Sequence, residues 1–253
     1  MTNYTFGDTD LAAERLQILD GLYAPTADAL LALVDAAPHR VADLGCGTGA
    51  TTARLVSHFP SAAIFGIDAS PAFVAAAAVA VPQAAFAVAD VTDPLTGPLF
   101  DLVYSRFLLA HLPDIRHALA VWCNALSPGG ALVLEETGLI ASDDPDFAAY
   151  EELVRTRVGR AGAVMYAGPL IRINLPPELD VIVDRAIPVD LTAGEAAAMF
   201  WRNLATWGPN AVADGLIAAS ECEGLLARLR SRDTDTTRGV LTWTHHQVIA
   251  RLR

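Results

Sequence analysis

Cysteine is scarce: Cys46, Cys123 and Cys222 are the only three in 253 residues, and no two form a CxxC pair. An odd, sparse set does not describe a disulfide framework, and a reducing cytoplasm is the simplest home for it. Long apolar runs are missing as well. The most apolar, Ala72 to Val81, falls far short of the roughly 20 residues that a membrane-spanning helix needs. The first residues, Met1 to Leu11, carry Asp8 and Asp10 and no basic start, which argues against an ordinary signal peptide. Basic charge is thin: 17 Lys and Arg face 29 Asp and Glu, for a net charge of -12. Such a chain repels a phosphate backbone at long range. The nearest thing to a basic cluster, Arg228, Arg230 and Arg232, sits among Glu221, Glu223, Asp233 and Asp235. A nucleic-acid partner is therefore not expected, nor is a membrane. Internal repeats and linkers rich in Gly, Pro or Ser are absent too.

What is present is a globular composition, 53% hydrophobic and 18% charged, in a chain long enough for one large domain over residues 1–253. Between residues 40 and 136 short apolar strands alternate with helices. Strands are expected at Val41–Leu44, Ala62–Ile67, Ala84–Ala89, Asp101–Tyr104 and Ala131–Leu134, with Pro128-Gly129-Gly130 as a turn. Helices are expected at Thr51–His58, after Ser70-Pro71, and at Ile115–Leu126. Strands that are apolar on both faces and separated by helices predict an α/β fold with a mostly parallel sheet and helices on both faces. Residues 1–39 read as a helical N-terminal lid, with Leu16, Leu19 and Leu30 among its apolar positions. Residues 137–253 add two further strands, Val181–Val189 and Val240–Ile249, which makes seven. The helices Thr192–Trp207 and Ser220–Leu229 fall between those strands as a helical cap over the sheet.

The strongest chemical signal is Val41-Ala42-Asp43-Leu44-Gly45-Cys46-Gly47-Thr48-Gly49, a strand running into a glycine turn that opens a helix. Glycines let the backbone approach a ligand where a Cβ would collide. The run Gly45-x-Gly47-x-x-Ala50 also fits a dinucleotide loop, so a nicotinamide oxidoreductase stays open. Asp43 lies inside the strand, where a buried carboxylate needs a reason, such as orienting the loop or meeting an ammonium group.

Asp-Leu-Gly-Cys-Gly-Thr-Gly resembles the first signature of class I S-adenosylmethionine (SAM)-dependent methyltransferases, and the rest of the pattern follows in order over residues 40–136. The resemblance implies a Rossmann-like seven-stranded fold, SAM as cofactor and S-adenosylhomocysteine (SAH) as product. It places Gly45, Cys46 and Gly47 against the cofactor. Ile64-Phe65-Gly66-Ile67-Asp68 resembles the second strand, whose terminal acid holds both ribose hydroxyls, with Ala69 beside it. Ala89, Asp90 and Val91 match the end of the third strand, where the family places an acid near the adenine amino group. Ser105 and Arg106 match the exit of the fourth, beside the methionine part. The leader, with Tyr4-x-Phe6-Gly7 and Glu14-Arg15-Leu16, resembles a bacterial small-molecule methyltransferase subgroup. There the tyrosine and the arginine close over the methionine end, which gives Arg15 a two-pronged contact with the carboxylate of SAM.

His111 leaves the fourth strand at its carboxyl end, where open α/β sheets bind ligands. It is the candidate general base for a hydroxyl acceptor, against packing or a cofactor contact. Ser105-Arg106 stand where metal-dependent relatives place an acid, so no metal is expected. The expected activity is methyl transfer to a small molecule, on oxygen in preference to nitrogen. The alternatives are a non-methylating SAM-binding protein on this fold and a methyltransferase acting on a macromolecule.

Overall fold

The computed structural model describes residues 10–35 and 37–253. The chain opens with α1 (Asp10–Leu31) and then alternates β1 (Arg40–Leu44), α2 (Ala50–His58), β2 (Ala63–Asp68), α3 (Pro71–Ala80), β3 (Ala85–Val88), β4 (Phe100–Arg106), α4 (Ile115–Asn124) and β5 (Leu126–Ala141). The second half adds α5 (Pro145–Arg160), the single turn α6 (Ile171–Asn174), β6 (Leu179–Thr192), α7 (Ala193–Ala213), α8 (Ala219–Arg230) and β7 (Arg238–Leu252). All seven strands form one sheet in the order β3-β2-β1-β4-β5-β7-β6. Strands β1 to β5 run parallel, and β7 is antiparallel to both neighbours. This is the Rossmann-like class I methyltransferase fold.

Strand alternation explains the layers. Ala42, Leu44, Val103 and Leu132 turn to one face, where they pack with Leu119 and Trp122 of α4. Val41, Leu102, Tyr104 and Val133 turn to the other, against Leu30 and Leu31 of α1 and Leu55 of α2. A third apolar cluster, built from Phe147, Tyr150, Phe200, Leu204 and Trp207, lies in α5 and α7 and joins Leu19 and Tyr23 of α1.

Local chemistry sets most helix starts. Ser70 caps α3 by accepting from the Phe73 N–H, with Pro71 at the first helical position. Asp144 accepts from the N–H groups of Asp146 and Phe147 at the start of α5. Thr192 and Glu195 form a reciprocal capping box on α7.

The strands of the second half run longer than the sequence pattern predicts. Pro128-Gly129-Gly130, expected as a turn, falls within β5, which continues to Ala141. β5 pairs with β7 from Ala131↔Arg251 as far as Ala141↔Thr242. The ladder therefore extends past the carboxyl ends of the parallel strands, and it carries Ile140 and Trp243 into contact with the helices of the cap.

Gly194 marks where the cap is tied down. Its N–H donates to the Asp235 carbonyl at 2.7 Å, and a Cβ there would meet the Asp233 and Asp235 carbonyl oxygens at 2.7 and 2.9 Å. Backbone cannot swing aside as a side chain can. Gly194→Ala is expected to destabilise the protein by about 1–3 kcal/mol. In calorimetry this reads as a melting temperature lower by roughly 2–4 °C per kcal/mol.

Candidate cofactor and acceptor site

β1 and β4 are neighbours at the point where the strand order reverses, and a crevice opens outside their carboxyl ends. The turn after β1 carries Gly45 at φ 71° and Gly47 at φ 53°, a backbone region that costs L-residues with a Cβ. At Gly45 a Cβ would also meet the Leu108 side chain at 2.9 Å. The turn is held from two sides. The Gly45 and Cys46 N–H groups donate to the Ile67 carbonyl at 2.8 and 3.1 Å. The Gly47 N–H donates to Asp68 Oδ2 at 2.9 Å.

Asp68 Oδ1 accepts from the Ser70 N–H, also at 2.9 Å. Both carboxylate oxygens are thus fixed in direction by backbone donors. Asp90 is held by Thr92, whose N–H and hydroxyl both donate to Oδ1. The Thr92 hydroxyl, then its N–H, lower the Asp90 pKa, so Asp90 is a carboxylate at neutral pH.

Asp68 and Asp90 line one cavity of about 820 Å³, together with Arg15, Gly45, Cys46, Gly47, Ala69, Ala89, Val91, Arg106 and His111. Burial and the charges of Asp43 and Asp68 raise the Cys46 pKa, so its thiol stays protonated and is not a nucleophile.

Two of the residues expected at the cofactor, Asp43 and Ser105, do not line this cavity, and a third, Tyr4, lies outside the described residues. Asp43 Oδ2 accepts the Thr51 and Thr52 hydroxyls of α2 at 2.7 and 2.6 Å. Through this oxygen it ties the glycine turn to the helix that follows, the loop-orienting role. Ser105 is 1% exposed within β4, between β1 and β5. Strand alternation turns it to the opposite face from Arg106.

The cavity continues past β4 to a second, aromatic end. Phe107 follows β4 with φ 55°, the one described non-glycine residue at positive φ. Such strain concentrates at functional sites. Phe107 lines the cavity together with Ile140, Tyr150, Met165, Met199, Phe200 and Trp243. Tyr150 stacks on Phe200 at 4.2 Å between ring centroids, and its hydroxyl accepts from the Asn203 amide at 2.8 Å.

Glu136 stands between the two ends. It is 1% exposed, and its Oε1 accepts from the Leu108 and Leu109 N–H groups at 2.7 and 2.6 Å. Oε2 has no hydrogen-bond partner. Burial is the main cause that lifts its pKa to about 8. Burial, followed by the charge of Arg15, lowers His111 to about 3. The imidazole is therefore neutral at any ordinary pH, and it is a weak proton acceptor. Arg106 is bound to Asp20 of α1 at 2.6 Å. In the sequence Glu135 and Glu136 follow directly on the apolar run Ala131–Leu134. The usable signal was their position: two acids at the end of an apolar central strand.

Residues 42–134 match the family model described as a methyltransferase domain. Trans-aconitate 2-methyltransferase of Methylobacterium nodulans is 40% identical over 124 residues, which is 49% of this chain and 48% of that protein. The chain thus matches the curated relatives over about half of their length. Among solved structures, the N-methyltransferase NodS of Bradyrhizobium japonicum with bound SAH has a TM-score of 0.53 at 17% identity, covering 95% of this chain and 86% of that one. The [4+2]-cyclase SpnF has a TM-score of 0.55 at 20% identity, covering 90% and 82%. Residues 42–134, the glycine-turn half of the sheet, thus resemble a methyltransferase domain, and they are carried on the fold that these solved structures share. Among the described residues no helix is long and apolar enough to cross a membrane.

Asp43 gives this half a titration signature. Burial raises its pKa from 3.8 to about 6. A carboxyl whose folded pKa is raised stabilises the fold below its unfolded pKa, and that contribution is lost as pH rises through the folded value. Asp43→Asn keeps an acceptor for both threonines and removes the titration. Urea unfolding at pH 4 and at pH 8 is expected to show the wild type losing stability relative to Asp43→Asn as pH rises. A difference that is the same at both pH values would contradict the assignment.

Proposed function

We propose that the protein transfers the methyl group of SAM to a small-molecule acceptor, on oxygen, in the cytoplasm. The observation that carries this is the single cavity. It runs from the paired acids Asp68 and Asp90, past the glycine turn, to an aromatic end roofed by the cap. The residues present fit the cofactor. Gly45 and Gly47 line the cavity with backbone alone, Asp68 offers two fixed carboxylate oxygens to the ribose hydroxyls, and Asp90 suits the adenine amino group. Arg15, buried in the same cavity, suits the methionine carboxylate. Bound SAM supplies a methyl group on a sulfonium that departs as neutral SAH.

The protein's part is to hold the acceptor collinear with that methyl and to keep water out. Positioning alone accounts for much of such a rate enhancement, and the cap helices provide the exclusion. The relatives' name supports a small molecule and an oxygen: trans-aconitate is a tricarboxylate whose nucleophilic atoms are oxygens. The net charge of -12 and a cavity roofed by helices speak against a macromolecular acceptor. SpnF shows that the fold also carries other chemistry, so the fold alone does not establish transfer.

The test of cofactor choice is thermal stability with SAM, SAH or NADH, on wild type and on Asp68→Ala. Ligand at about 100 times its dissociation constant stabilises by roughly 2.7 kcal/mol, a rise of about 5–10 °C for a chain of this size. The rise is expected with SAM and SAH, absent with NADH, and largely lost in Asp68→Ala. A rise with NADH alone would overturn the reading.

A further inference from the structure

We propose that Glu136 is the general base of the transfer, and that the acceptor is an uncharged, largely apolar hydroxy compound and not a polycarboxylate. This rests on the methyltransferase reading above.

The first observation is that Glu136 is more than its structural role requires. Its Oε1 pins the backbone after β4 through Leu108 and Leu109. A glutamine oxygen would accept the same two bonds without the cost of burying an ionisable group. The second oxygen, in a side chain 1% exposed and lining the cavity, has no partner. An unsatisfied buried carboxylate oxygen calls for a ligand donor, and an acceptor hydroxyl supplies one.

The second observation is the charge of the acceptor end. All 17 cationic residues of the chain are arginines, with no lysine. Only Arg15 and Arg106 line the cavity among the described residues, and the cap side contributes neither. Arg106 is already paired with Asp20, and Arg15 is the residue that the methionine carboxylate would engage in the proposed complex. The rest of that end is mainly Phe107, Met165, Met199, Phe200 and Trp243, with Thr137, Asn203 and Tyr150 as uncharged polar groups. A tricarboxylate would leave charges unmatched in an apolar pocket and would face the Glu136 carboxylate, at a cost that grows with burial. A carboxylate acceptor would also need no base. A neutral hydroxyl needs one, and its ring or chain would fill the aromatic end.

The step balances within the site. The acceptor O–H proton passes to Glu136 Oε2 as an oxygen lone pair forms the new C–O bond to the methyl carbon. The C–S bonding pair stays on sulfur, which gives SAH and a methyl ether. The charge of Glu135 acts on this carboxyl, and Arg106 on β4, His111 after β4, Arg15 on α1 and Tyr150 on α5 line the same cavity as Glu136. Of these, His111 and Tyr150 stay neutral through the working range, since burial lowers the one and raises the other. Deprotonation of Glu136 is therefore expected to make the rate rise with pH through about 8.

The experiment uses the full chain with 2-naphthol as the uncharged probe and trans-aconitate as the polycarboxylate. Affinity for each is measured on the SAH-loaded protein, and methyl transfer from labelled SAM is followed with each. Tighter binding and faster methylation of 2-naphthol, by about tenfold or more, are expected. Equal or better use of trans-aconitate, or no binding of 2-naphthol, would overturn the acceptor class. For the base, Glu136→Gln keeps the Leu108 and Leu109 contacts. It is expected to lower kcat about 100-fold or more, to leave SAH affinity within about twofold, and to abolish the rise of rate with pH. A variant with normal kcat and an unchanged pH profile would overturn the base. Loss of SAH binding by the wild type would instead defeat the cofactor reading, and so is told apart from both.

Discussion

The hydrogen bond from the Gly47 N–H to Asp68 is the constraint on which the site depends. It joins the turn after β1 to the end of β2, two strands whose parallel pairing already brings Leu44 beside Ile67. Only glycine tolerates that turn, because Gly45 and Gly47 hold positive φ and a Cβ on Gly45 would run into Leu108. Asp43 fixes the turn from behind through Thr51 and Thr52. The result is a rigid anion-edged floor at the switch point of the sheet. A ribose can meet carboxylate oxygens there whose directions are set before it arrives, which lowers the ordering cost of binding.

The other half of the cavity depends on a different device. β5 and β7 run beyond the parallel strands as a long antiparallel ladder, and α7 is locked to its base by the Thr192–Glu195 capping box and the close contact at Gly194. This lifts the aromatic cluster of α5 and α7 over the strand ends. Glu136 sits where the two halves meet and grips the backbone that leaves β4. A single buried carboxyl therefore shares its two oxygens between holding the loop and facing the cavity.

The fold was legible in the sequence because its signals are local. Glycines at a strand end, Ser70-Pro71, Asp144-Pro145 and the apolar strands between them each declare a backbone geometry within a few residues. The glycine-turn side of the cavity followed, since its lining residues lie within a few positions of those strand ends. Three things were not legible. Whether Asp43 or Ser105 faces a ligand depends on which side of a strand it occupies, and a buried strand with two apolar faces does not say. The length of β5 is set by pairing with β7 about 110 residues away, which overrides the turn chemistry of Pro128-Gly129-Gly130. The aromatic end is assembled from β5, α5, α7 and β7, so no contiguous stretch carries its pattern. Glu136 was visible as an acid, but its burial and its divided oxygens are facts of packing.

The central claim is that one cavity holds SAM on the glycine-turn side and the acceptor on the cap side, with Glu136 between them. A crystal structure of the protein with SAH tests it most directly. The account predicts the ribose hydroxyls on Asp68, the adenine beside Asp90, the homocysteine carboxylate at Arg15, and the sulfur facing the space beside Glu136 and Phe107. SAH seated with its sulfur turned away from Glu136, or bound outside this cavity, would contradict it.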